Sequence, residues 1–328
     1  MLESALHALT AAYGPSGRES RIREAISSLA EPLCETLQTD PLGNLIAFRP
    51  GKSGKRLMLA AHMDQIGLMV TDVQEDGFLR VAAVGGLKPA IAIARRVVFE
   101  NGAPGTVYYE TKTQGPGEAE MEDLFIDVGA KDKAEAESIA RIGDVAVFYS
   151  PLQIENGLAT GGALDDRLGC AVLLEALSGP CEHDLYAVFT AQEEVGTRGA
   201  GPAAYGILPD LCVALDVTPA GDTPKAAPSA IALGKGPALK VLDNSVVVSA
   251  HVRRLLEERA EAAGVAIQYE VLTTGGTDTG AIARTAGGVT AGCISLPCRY
   301  IHSPVETVAL ADAQGAVQWI RSVMEARL

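Results

Sequence analysis

The chain has 328 residues, a formal net charge of −14 and 48% hydrophobic residues. That length buries a substantial core and fits more than one domain, while the acidity disfavours nucleic acid, whose phosphates need a cationic surface. No apolar run reaches the ~20 residues that span a bilayer, so no membrane partner is expected.

The opening MLESALHALTAAYG has early acid and no basic start. It reads as an amphipathic helix over 2–13 and not as a signal peptide, which makes the cytoplasm the default location. A second helix is expected over 19–31. TLQTDPLGNLIAF then forms a hairpin with Pro41-Leu-Gly43-Asn44 at its turn. A buried strand over 57–61 runs into His62. After Gly67 the texture changes to short alternating runs punctuated by Gly and Pro: GLMVTDV, GFLRVAAV, RRVVFE, GTVYYE and DVAVFY. These predict a small β-rich domain with one helix over 133–142. From about residue 158 strands and helices alternate again. The expected order is helix 168–177, strands 185–190 and 211–215, helix 246–263, strands 265–272 and 288–295, and helix 311–327. The sum is an α/β fold: a split domain, 1–67 and 160–328, enclosing an inserted β-rich domain, 68–159. The cysteines at 34, 170, 181, 212, 293 and 298 form no C-x-x-C pair and read as free thiols.

The apolar runs stop in polar residues. Leu57-Met-Leu-Ala-Ala ends in His62, Tyr186-Ala-Val-Phe-Thr-Ala-Gln ends in Glu193-Glu194, and Leu211-Cys-Val-Ala-Leu ends in Asp216. In open α/β sheets ligands bind beyond the carboxyl ends of the strands. Asp165, opening an apolar helix, and His302, in a loop before the last helix, join this set. Two imidazoles and three carboxylates suit a pair of divalent cations. Asp64 shares a strand face with His62 at i+2 and is placed to hold the ring. Asp165-Asp166 has a competing reading as a helix cap. Glu193-Glu194 competes with two solvated glutamates, but adjacent residues at a strand end point apart. One can ligate while the other serves as general base, the division that metal-assisted hydrolysis needs. His7, His183 and His251 have no acid in register and read as structural.

Eight segments then carry a resemblance: GPSGRE, AAHMDQIG, EDLFIDVGA, ALDDRLG, AQEEVGTRGA, ALDV, GGTDTGAI and RYIHSPVE. Nearly the whole chain resembles the cytosolic glutamyl-aminopeptidase and endoglucanase-M-like family of dinuclear metallopeptidases, some of which form tetrahedral dodecamers. The resemblance implies a mixed-sheet exopeptidase domain with an inserted β-rich dimerisation domain. It implies His62, Glu194, Asp216 and His302 as terminal metal ligands, Asp165 as the bridging ligand, Glu193 as general base and Asp64 as the residue orienting His62. The peptide bond after the bridging aspartate would be cis. Two divalent ions per subunit follow, zinc or cobalt, with manganese also admitted by mixed nitrogen and oxygen ligands. The expected partners are short peptides with free N-termini and further copies of the chain, in a dimer or a dodecamer. An N-deacylase on the same scaffold is the alternative. A glycoside hydrolase, which could also use two carboxylates, fits poorly with one Trp and 5% aromatics. A silent peptide-binding protein leaves Glu193 without a task. The chain departs from the family at Gln65, where glutamate is usual, and in a shorter stretch over 111–120.

Overall fold

The computed structural model describes residues 1–112, 115–226 and 229–328, so positions 113 and 114 of the shortened stretch lie outside the described residues. Two bodies are present: a large mixed sheet flanked by helices and a closed six-stranded barrel.

The large sheet is built on four neighbouring parallel strands: Asp184–Thr190, Arg56–His62, Leu211–Pro219 and Ala291–Arg299. Strands buried on both faces read as continuous apolar runs, and alternation sorts their side chains. Leu57, Leu59, Ala61, Leu185, Ala187, Phe189, Leu211, Val213 and Leu215 face one core, shared with helices Leu2–Ala11, Leu164–Ala176, Ala250–Ala263 and Leu310–Met324. Met58, Ala60, Val188, Cys212 and Ala214 face the other, packed on helices Ala200–Ile207 and Asp278–Ala283. The predicted hairpin joins one edge as Thr36–Thr39 and Leu45–Arg49. Its turn is held by Asp40, whose Oδ1 accepts the Leu42 and Asn44 N–H groups, with Gly43 at φ +94.

The barrel strands follow the order Gly67–Val73, Leu79–Val84, Leu124–Asp127, Pro104–Tyr109, Arg96–Phe99 and Val145–Phe148, closing on the first. Five of these coincide with the alternating runs read above; Leu124–Asp127 is the added one. Closure removes the free edges that short strands would otherwise expose. Leu68, Leu79, Val97, Val107, Leu124, Ile126 and Ala146 fill the interior. The chain leaves the barrel after Phe148. Gln153–Glu155 and the first half of Leu158–Gly161 were grouped above with the insertion; the two strands pair with each other, and the second pairs with Glu306–Ala309 in the large sheet.

Several boundaries differ from expectation for local reasons. The long helix starts at Ala250 and not at 246. Asp243 Oδ1 accepts the Ser245 and Val246 N–H groups, Val247 bridges to Leu242, and Ser249 caps Val252. The strand expected over 288–295 begins at Ala291 and runs on to Arg299, because Val289 N–H first closes onto Ala283 O. The strand expected over 265–272 is Gln268–Val271, and the helix expected over 133–142 is Lys133–Ile139 with Asp132 as its cap. Among the described residues, no helix is long and apolar enough to cross a membrane. All six cysteines are free.

Candidate metal centre and cleft

Register explains why distant residues meet. In the parallel sheet Thr190 lies beside His62, and Ala60 beside Ala214. His62 and Asp216 each lie two residues beyond that second pair, on the same face, and His62 Nε2 is 3.8 Å from Asp216 Oδ1. Glu193 and Glu194 follow the neighbouring strand end, and His302 follows the fourth parallel strand.

Asp165 stands between the two imidazoles. Its Oδ1 is 3.0 Å from His62 Nε2, and its Oδ2 is 3.3 Å from His302 Nε2. Glu194 Oε2 is 3.1 Å from the same His302 nitrogen. The Asp165–Asp166 peptide bond is cis, as the resemblance implied. Both readings of this acid pair apply, one to each residue. Asp166 Oδ1 accepts Gly169 N–H at 3.0 Å and so caps the regular helix, while Asp165 turns into the site. All five residues named as ligands therefore come together, His62, Asp165 and Asp216 buried and Glu194 and His302 half-buried.

Asp64, fully buried, reaches more than the ring it was expected to hold. Its Oδ1 is 3.5 Å from His62 Nδ1, and its backbone carbonyl is 3.2 Å from that nitrogen. The same carboxylate accepts the backbone N–H of Glu193 at 3.0 Å and of Glu194 at 3.3 Å, and the Ser16 hydroxyl at 2.5 Å. One side chain thus fixes a histidine and the backbone of both glutamates.

Three contributors were not assigned from sequence. Buried Glu306 accepts Asp165 N–H on Oε2 at 3.1 Å and His302 N–H on Oε1 at 2.9 Å. Gly86, from the barrel, places its carbonyl 3.0 Å from His302 Nδ1, which leaves Nε2 facing the acids. A Cβ on Gly86 would sit 2.8 Å from that ring, so the approach requires glycine. Ser16 completes the Asp64 set. Gln65 lies outside the cluster, and its Oε1 accepts from the buried Arg167 guanidinium at 3.1 Å. Arg167 also donates to the carbonyls of Leu9, Ala12 and Gly14, tying the first helix to the site.

The electrostatics of the cluster fit a cation. Burial raises the Glu193 carboxyl, and Asp216, Asp278 and Glu194 raise it further against His62. Burial and Asp165 likewise hold Glu194 and Asp216 above the usual carboxylate range. Burial disfavours the His302 imidazolium, but Asp165 and Glu194 outweigh it and push that group up to about 12. Asp166 Oδ2 has no hydrogen-bond partner. Two groups of donor atoms, from His62, Asp165 and Glu194 and from His62, Asp166 and Asp216, each lie within 4.8 Å of one another, close enough to hold a metal ion. A positive ion in such a nest of carboxylates reverses their preference for protons. The cluster forms the floor of an open cleft walled by the barrel loop 86–91 on one side and residues 272–277 on the other.

With this arrangement in view, the M42 glutamyl aminopeptidase family matches residues 43–318. The chain belongs to the M42 peptidases. A relative from Acetivibrio thermocellus, whose name places it among the aminopeptidases, is 45% identical over 315 residues, covering 95% of each chain. The solved aminopeptidase of the archaeon Desulfurococcus kamchatkensis superposes with a TM-score of 0.95 at 37% identity, covering 99% of this chain and 95% of that one. A Pyrococcus horikoshii TET peptidase, described as assembling into a tetrahedron or a large octahedral shell, superposes with a TM-score of 0.86 at 33% identity, covering 98% of both. The M42 membership makes the chain an aminopeptidase-type hydrolase, and the mixed sheet with its inserted barrel is the architecture of the TET aminopeptidases.

Proposed function

We propose that this M42 chain is a dinuclear metallo-aminopeptidase that releases N-terminal residues from short peptides. The observation that carries the reading is the two-sided placement of Asp165, with one oxygen toward His62 and the other toward His302. His62, Glu194, Asp216 and His302 would hold the two cations at their outer sides and Asp165 would serve both, with the free Asp166 oxygen close to the His62 and Asp216 side. Zinc, cobalt and manganese all suit this donor set. When bound, the cations polarise the scissile carbonyl and make water nucleophilic near neutral pH.

The chain's own residues do the rest. Glu193 accepts the proton of the attacking water and returns it to the leaving amine. Asp64 holds its backbone in place and keeps His62 oriented. The substrate's free α-amine would bind at the second cation, which would restrict cleavage to the first peptide bond. Glu193→Gln retains metal and loses about 10²- to 10⁴-fold in turnover on aminoacyl-p-nitroanilides; wild-type rates in that variant would remove Glu193 as the base. Asp165→Asn loses metal occupancy by elemental analysis, and full occupancy would remove its bridging role. Free peptides are hydrolysed and their N-acetylated forms are not, which separates this reading from an N-deacylase.

The protein is read as a cytoplasmic homo-oligomer, assembled through the inserted barrel into dimers and, by likeness to the TET peptidase, into larger shells. Light scattering behind size exclusion measures this directly, and a monomer at micromolar concentration would reject it.

A further inference from the structure

The cleft has an acidic floor and nearly neutral walls. Its acids are Asp165, Glu193, Glu194 and Asp216, all members of the cluster at the strand ends. Two lysines also line it, and they differ sharply. Lys240 is fully buried, with Glu270 Oε1 at 2.5 Å and Asp243 Oδ2 at 3.9 Å from its ammonium. Two carboxylates around one ammonium leave that corner no spare positive charge. Lys88 is exposed, and the lysine ion pairs among the described residues go instead to Lys55, Lys112, Lys133 and Lys240.

Lys88 is also well anchored at its base. It lies two residues beyond Gly86, the residue in contact with His302, and follows Leu87, which is buried in the barrel core. Its own carbonyl accepts Ile91 N–H as the short helix Pro89–Ala92 begins. The backbone is thus held beside His302 at a position that lines the cleft, and the flexible four-carbon stem gives the ammonium a wide reach there. The barrel wall of the cleft thus bears a positive charge two residues from the contact with His302.

A peptide advances about 3.3–3.6 Å per residue when extended. A dipeptide or tripeptide bound by its amine therefore carries its terminal carboxylate only one or two residues past the scissile bond. We propose that Lys88 selects substrates bearing a carboxylate just beyond the cleaved bond, which makes very short peptides the favoured class. This rests on the aminopeptidase reading and adds the substrate class to it. A free C-terminus and an acidic side chain on the residue after the cleaved one offer the same chemistry to Lys88.

The test uses the metal-loaded full chain and compares ratios of kcat/KM within each variant, so that any overall change in activity cancels. Wild type should prefer Leu-Gly-Gly over Leu-Gly-Gly-amide by about three- to fivefold at low salt, falling as ionic strength rises. Lys88→Ala should bring that ratio to one, Lys88→Glu should invert it, and Lys88→Arg should keep it. Leu-Asp-amide against Leu-Asn-amide reads the side-chain source in the same way. Ratios in Lys88→Ala equal to wild type for both pairs would overturn the proposal. Wild type that hydrolyses none of the aminoacyl-p-nitroanilides, acidic, basic and apolar, would instead overturn the aminopeptidase reading, and this proposal with it.

Discussion

Glu306 holds two residues of the acidic cluster, Asp165 and His302, from behind. Its carboxylate accepts one backbone N–H from Asp165 and one from His302, and burial with Asp165 and Glu194 nearby pushes it up to about 8. Glutamine can accept with only one of its two terminal atoms, so Glu306→Gln turns an N–H toward an N–H. Metal affinity should fall about 10- to 100-fold with the circular dichroism spectrum preserved; unchanged affinity in a metal titration would show that the backbone holds these ligands unaided. Glu306 stands in the run RYIHSPVE beside His302, so its residue type was in plain view. Its role was not, because a carboxylate that binds backbone amides leaves no mark in local pattern. His62, Glu194 and Asp216 were legible for the opposite reason. An ionisable residue at the end of a buried strand is costly unless something pairs with it.

At the level of elements, the hairpin turn supports the loop that carries Glu193 and Glu194. Asn44 is fully buried; its Oδ1 accepts Ala191 N–H at 2.9 Å, and its Nδ2 donates to Gly199 O at 2.9 Å. The segment between those two residues carries Glu193 and Glu194. Asn44→Ala leaves a buried donor and a buried acceptor unpaired, each costing about 1–3 kcal/mol. Urea unfolding should register a loss of about 2–6 kcal/mol together with a fall in kcat, and a variant with native stability and kcat would deny the brace. The long strands and helices were readable because their apolar period is strong. Ala238–Leu242, Glu306–Ala309 and the helix Asp278–Ala283 went unread, being too short to show a period. The helix start expected at 246 slipped to Ala250 because Asp243 takes over the backbone amides before Ser249.

For the whole molecule, the candidate metal centre is built across both bodies, with Gly86 of the barrel touching His302 and the Tyr13 hydroxyl donating to Val145 O at 2.9 Å. The sign of its pH dependence follows from the shifts. Burial and neighbouring acids raise Glu193, Glu194 and Asp216 in the folded, metal-free state, so those groups favour folding when protonated and lose that contribution as pH climbs above the ordinary carboxylate range. His302, raised to about 12, adds stability fully present below about pH 6.5 and lost as pH rises toward that value. Both act in one direction. Metal-free protein should lose thermal stability from pH 5 to pH 8, and the rise in Tm on adding zinc or cobalt should grow over the same interval as protons are released. A metal-induced Tm shift independent of pH would contradict a carboxylate- and imidazole-bound ion.

Taken alone, the amino-acid order determined the α/β class, the split domain with its β-rich insertion, and the residue types capable of binding cations. These depend on local period and on where polarity interrupts it. Only the tertiary structure decided which oxygen of Asp165 meets which histidine, that Asp64 anchors both glutamates, and that the barrel supplies Gly86 and Lys88 to the cleft. Such contacts join segments tens to hundreds of residues apart, and their distances are set by strand register and packing, which no single stretch of chain encodes.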